Sequence, residues 1–211
     1  MNMNNFCIFA DMNNQADNTR WQENIILADA DYIDKVAFDL TVNFERMIGR
    51  RIPKADLARW AECVALDGGL REGDHSTHLI LLHDKTHMAL ENFTPGHYQN
   101  DISGKAFRGP LGEFSMDAIS SEDGIIHKNE LFCQTVEFLA AQEGVRRLMV
   151  VPAEENLQQV RSALQKADPT DMFVTLFAMQ PLTGGPYRSE ILGYSLMAAL
   201  GIRSEEINSK M

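Results

Sequence analysis

The chain has 211 residues, 45% of them apolar, and a formal net charge of −11, a composition that excludes a wholly disordered polypeptide. With 19 Lys and Arg against 30 Asp and Glu, the field of the whole molecule repels nucleic acid, leaving only a local basic patch for that purpose. Three cysteines at wide, unpatterned spacing (Cys7, Cys63, Cys133) give neither a disulfide framework nor a CxxC-type zinc site, which fits a reducing compartment.

Residues 1–22 are Asn-rich and alternate little, and a poorly ordered leader is expected there, with FCIFAD as an edge-strand alternative ending at Asp11. Residues 23–211 are read as a single α/β domain. No apolar run approaches the roughly 18 residues of a membrane span, and the start lacks a cationic segment leading into an apolar one, so a cytoplasmic protein without a membrane segment is expected.

The apolar run Ile25-Ile26-Leu27-Ala28 ends at Asp29, as a buried parallel strand does. The period then changes. Ile33, Val36, Ala37, Leu40, Phe44, Met47 and Ile48 recur at helical spacing, and Gly49 is the stop. Pro53 is expected to open a second helix with Leu57, Trp60, Ala61 and Val64 on one face, ended by Gly68-Gly69.

His78 to His83 reads as the second strand, residues 90–112 as a long polar excursion, and Glu113 to Ile119 as a weaker third strand. Leu131, Phe132, Val136 and Leu139 mark a helix, and Arg147 to Val151 a strand. Leu157, Val160, Ala163 and Leu164 mark the next helix, Phe173 to Ala178 another strand, and Glu190 to Leu200 a last helix closed by Gly201. Alternation at this spacing predicts a three-layer α/β/α, Rossmann-like fold with a mostly parallel sheet of about five strands. The last helix packs on the sheet or on a second subunit, which would make a homodimer.

Parallel strands deliver their carboxyl ends to one edge, where ligands bind. Asp29 and Asp31, Asp117, and Glu154, Glu155 and Asn156 all fall at or just beyond expected strand ends. Converging carboxylates raise one another's pKa, and Mg²⁺ or Mn²⁺ bound by oxygen ligands is the natural compensation. The competing reading is structural, since Asp31 and the Glu154-Glu155 pair also stand where helix caps and first turns favour acids.

The segments NIILADADY (from Asn24), SMDAI (around Asp117) and VVPAEENLQQVRSAL (from Val150) resemble the metal-binding elements of NYN and PIN-type domains. That resemblance implies a divalent-metal-dependent ribonuclease or a degenerate relative of one. Asp29 matches the first acid, Asp117 the intermediate one, and Glu154 and Asn156 the final pair. Asp29, Asp117 and Glu154 would then be catalytic, with Asp31 and Asn156 as further metal ligands. Arg50 and Arg51, in a basic group with Arg46, Lys54 and Arg59, would steer an RNA phosphate. The departures are Tyr32 in place of an Asn, Pro152-Ala153 in place of a Ser-Gly turn, and Glu154 and Asn156 where two Asp are typical.

AFDLTVNFERMIGRRIP (from Ala37) and PYRSEILGYSLMAALGI (from Pro186) resemble an uncharacterised bacterial family, a likeness that implies no mechanism. Two other functions compete with the nuclease. In a noncatalytic binding or assembly protein, the excursion at 90–112 and the last helix would form partner surfaces. Asp29-x-Asp31 after a strand is also similar to the nucleophile motif of haloacid-dehalogenase-type phosphatases. Such enzymes place a flap directly after the motif and need a later Ser or Thr and Lys, for which Thr86 and Lys105 or Lys128 are the candidates. The histidines His75, His78, His83 and His87 are read as core or surface residues, because His78 and His83 point to opposite faces of one strand.

Overall fold

The computed structural model describes residues 21–121, 127–167 and 171–208. Strands β1 (Asn24–Asp29), β3 (His75–His83), β6 (Gly112–Ser120), β7 (Arg147–Val151), β8 (Phe173–Ala178) and β9 (Arg188–Ile191) run parallel. Strand β5 (Lys105–Gly109) is antiparallel on β6, giving the seven-strand order β5-β6-β3-β1-β7-β8-β9. A second, two-stranded sheet joins β2 (Ala55–Asp56) to β4 (Phe93–Thr94). The helices are α1 (Ala30–Ile48), α2 (Leu57–Asp67), α3 (Lys128–Ala140), α4 (Leu157–Ala167), α5 (Leu192–Ala199) and α6 (Ser204–Asn208).

Strand residues alternate between two separate apolar cores, as period-two side chains must. Ile26, Ala28, Leu79, Leu81, Met149 and Val151 meet α1, α2 and α5, whereas Ile25, Leu27, Ile80, Leu82, Leu148 and Val150 meet α3 and α4. Both faces of the central strands are therefore buried, which is why β1 reads as an uninterrupted apolar run.

All five expected strands form, but the sheet has seven members rather than about five. The two additional strands come from segments read otherwise: β5 lies within the polar excursion, and the last two residues of β9, Glu190 and Ile191, fall in the expected start of the last helix. Each lies at an edge of the sheet with one neighbour, where apolar periodicity is weak, and β9 alternates no buried face at all. The excursion also holds β4 and a π-type turn at Tyr98–Ile102, which buries Tyr98 and Ile102.

Helix starts differ from expectation by a few residues. Asp29, not Asp31, caps α1, accepting from Tyr32 N at 3.0 Å; Asp56 caps α2 by accepting from Arg59 N at 3.0 Å, so Pro53 lies before that helix rather than within it. Gly49 ends α1 at φ 79°, a left-handed conformation that disfavours any residue with a Cβ.

Residues 1–20 of the expected leader, with Cys7 and Asp11, lie outside the described residues. Its last two are docked: Trp21 stacks on His78 with ring centroids 6.3 Å apart, and Gln22 Nε2 donates to Ser115 Oγ at 2.9 Å.

Candidate functional site

The carboxyl edge of β1 concentrates charge because β1 ends in Asp29 and α1 begins at once, so the N-cap Asp29 and the first-turn Asp31 stand two residues apart. Asp29 has a fully buried side chain, and Asp31 is 16% exposed. Their common partner comes from the far side of the sequence: Lys128, the first residue of α3, places Nζ 2.8 Å from Asp29 Oδ1 and 2.7 Å from Asp31 Oδ2. One ammonium thus bridges two carboxylates, and the second Asp29 oxygen, Oδ2, is shielded from solvent without a hydrogen-bond partner among the described residues.

The segment following β3 completes the cluster. His87 Nδ1 donates to Asp31 Oδ1 at 2.6 Å, and the Asp84 backbone N–H donates to Asp31 Oδ2 at 2.8 Å. Asp84 is fixed in turn by the Thr86 backbone N–H and hydroxyl, at 2.9 and 2.7 Å. His83 ends β3 and stacks on Tyr98 at 3.9 Å between ring centroids, so the π-type turn roofs this end of the sheet.

Burial and charge act on these groups in opposite directions. Burial lifts the Asp29 carboxyl above its ordinary range, against the pull of Lys128. Burial also acts on Asp31, but there the hydrogen bonds from Lys128 and His87 outweigh it and hold the carboxyl low. Lys128 is desolvated, yet its two carboxylates keep its pKa above the ordinary value. Burial lowers His83. Tyr32 is pushed up to about 12 by burial, with Glu154, Glu155 and Asp29 adding negative charge. Glu154 and Glu155 therefore contribute to the potential of this rim, from the exposed 3₁₀ turn after β7.

The other expected site residues are placed elsewhere. Asp117 lies in mid-strand on β6, where register aligns it with Ile80 and Leu27, two residues short of the level of Asp29 and two strands away. Strand geometry makes that about 12 Å. Its partners are His78 Nε2, at 2.9 Å, and the Gly104 backbone N–H, at 3.1 Å. Asn156 is buried as a brace, its Nδ2 donating to Asn129 O at 3.1 Å and its Oδ1 accepting from Cys133 Sγ at 3.5 Å. Arg50 and Arg51 follow the far end of the 19-residue α1, about 28 Å from Asp29 at 1.5 Å rise per residue. Arg50 pairs bidentately with Glu206 (Nε–Oε1 2.7 Å, Nη2–Oε2 2.9 Å), and Arg51 lies 3.4 Å from Glu45.

The implied Mg²⁺ or Mn²⁺ does not fit this donor set. Asp29 Oδ1 and both oxygens of Asp31 are occupied by cationic or N–H donors, and Asp117 is in a different pair. Among the described residues no group of three His, Cys, Asp or Glu side chains is arranged to hold a metal ion.

Lys128 and His87 are the members that sequence reasoning undervalued, the first entering only as a loose candidate in the phosphatase alternative. A signal was present. A lysine in the first turn of a helix opposes the helix dipole, so a cation there needs a compensating anion. His87 carries no comparable mark.

A family model described as a family of unknown function (DUF6621) matches residues 18–207. No curated protein and no solved structure matches the chain.

Proposed function

We propose that the chain, which belongs to the DUF6621 family of unknown function, is a noncatalytic binding module on a three-layer, Rossmann-like scaffold of the PIN/NYN kind. The observation that carries the reading is the Lys128 ammonium between Asp29 and Asp31. A permanent internal cation takes the place that a divalent ion would have in a nuclease. The strand order, with two helical layers of buried contacts, supports the scaffold.

The rim carries Asp84, Glu154 and Glu155 beside this cluster and repels a phosphodiester, so the partner it suits is cationic. Cys63 and Cys133 are free thiols, which supports a reducing, cytoplasmic setting.

The test is calorimetric titration of Mn²⁺ into the wild type, with a parallel assay of single-stranded RNA cleavage. The expected result is no uptake at millimolar Mn²⁺ and intact RNA. RNA cleavage that chelator abolishes and Asp29→Asn removes would overturn the reading.

The phosphatase alternative gains one observation, because Lys128 reaches Asp29 as that resemblance requires of a lysine. It is opposed by the full enclosure of Asp29, by α1 beginning where a flap is needed, and by Thr86 bonding Asp84 beyond the end of β3. Magnesium-dependent hydrolysis of p-nitrophenyl phosphate, lost in Asp29→Asn, would favour it.

A further inference from the structure

The opposite edge of the sheet, where β7, β8 and β9 begin, carries a cavity of about 500 Å³. Gly69, Arg71, Arg147, Phe173, Tyr187 and Arg188 are among the residues that line it. Three arginines around one cavity stand out in a chain of net charge −11. Arg188 is neutralised by its ion pair with Glu190, near which Asp67 also stands. Arg71 and Arg147 have no carboxylate partner within ion-pair distance among the described residues.

These two guanidiniums are close enough that Arg71 disfavours the charge on Arg147, adding to its desolvation. Each uses little of its donor capacity. Arg71 Nη1 donates to the carbonyls of Leu66 (3.4 Å) and Leu70 (2.7 Å), and Arg147 Nη1 donates to that of Gly68 (3.3 Å). A guanidinium has five N–H groups. Arg147 Nε and the Tyr187 hydroxyl are both shielded from solvent and lack a hydrogen-bond partner. Unpaired buried donors cost free energy.

Residue 69 is a glycine at φ 95°, a left-handed conformation that strains a side chain, and its Cα faces the Arg147 guanidinium closely enough that a Cβ would lie 3.3 Å from Nη1. The apolar wall is Phe173, 68% exposed, with the Arg147 guanidinium 5.2 Å from its ring centroid. Two guanidiniums lining one cavity suit a dianionic phosphate monoester better than a single carboxylate. An exposed aromatic ring beside them suits a flat heterocycle. The volume lies in the range of small-molecule sites.

We propose that this cavity binds a mononucleotide, its phosphate held by Arg71 and Arg147 and its base laid on Phe173. The proposal is independent of the Asp29 cluster.

The experiment is calorimetry of the full chain with adenosine monophosphate, adenosine and inorganic phosphate as probes. The monophosphate is expected to bind at submillimolar concentration, with adenosine and phosphate each weaker by about tenfold or more. Arg147→Met should weaken the monophosphate by about tenfold, the effect of one lost charge-assisted hydrogen bond. Arg71→Met reads the same effect from a loop position should Arg147→Met fail to fold. Arg51→Ala, at a residue that does not line the cavity, should leave binding unchanged. Adenosine binding as tightly as its monophosphate, wild-type affinity in both arginine variants, or no uptake of the monophosphate at 10 mM (roughly the millimolar limit of weak binding) would overturn it.

Discussion

Replacing Lys128 with Met tests the internal counter-ion directly, because methionine preserves most of the side-chain volume while deleting the charge. Two charge-assisted hydrogen bonds, at 2.8 and 2.7 Å, are lost from a side chain only 18% exposed. Removing one partner of a buried ion pair costs about 3–5 kcal/mol. Asp31 keeps its bonds from His87 and the Asp84 N–H, so the lower end, about 3 kcal/mol, is expected near pH 7.5. For a domain of this size that corresponds to a fall of roughly 6–12 °C in Tm.

The loss should be smaller at pH 5. Asp29 has its folded pKa raised by burial, and without Lys128 only the hydrogen bond from the Tyr32 backbone N–H opposes that rise. A carboxyl raised in the folded state favours folding below its unfolded pKa, and that contribution disappears as pH rises through the folded value. Urea unfolding at the two pH values measures both effects. Asp29→Asn in the Lys128→Met background should recover part of the stability, since Asn still caps α1 and leaves no bare charge. A loss under about 1 kcal/mol at pH 7.5, or equal losses at both pH values, would refute the buried counter-ion.

Two further predictions concern the scaffold. Asp56→Ala removes the side-chain acceptor that caps α2 and should lower the urea-derived stability by about 1 kcal/mol with an unchanged m-value. Burial depresses the folded pKa of His83, so its contribution is present above the unfolded value and lost as pH falls through the folded one. Wild-type stability should therefore decline on acidification from neutral pH, and His83→Phe, which keeps the stack on Tyr98, should flatten that decline in urea titrations.

The elements that were legible share one property: their signal is local. Ile25 to Ala28 is apolar on both faces, and the α1 positions Ile33, Val36 and Ala37 repeat at helical spacing, so each segment declares its burial without reference to its neighbours. From those elements the mostly parallel sheet follows, and with it the edge to which Asp29 and Asp31 belong. β9 escaped notice because its pairing with β8, not its own pattern, makes it a strand.

The sequence by itself thus determined the two buried layers, the five principal strands and the position of Asp29 at a strand end. Only the tertiary structure decided the partners. Lys128 meets Asp29 across 99 residues and Asp31 across 97, whereas Asp117, two strands from Asp29, turns to His78 on the neighbouring strand. Which carboxylate meets which cation depends on register and on how far along its strand each residue stops. Those are properties of strands taken together, and no single segment carries them.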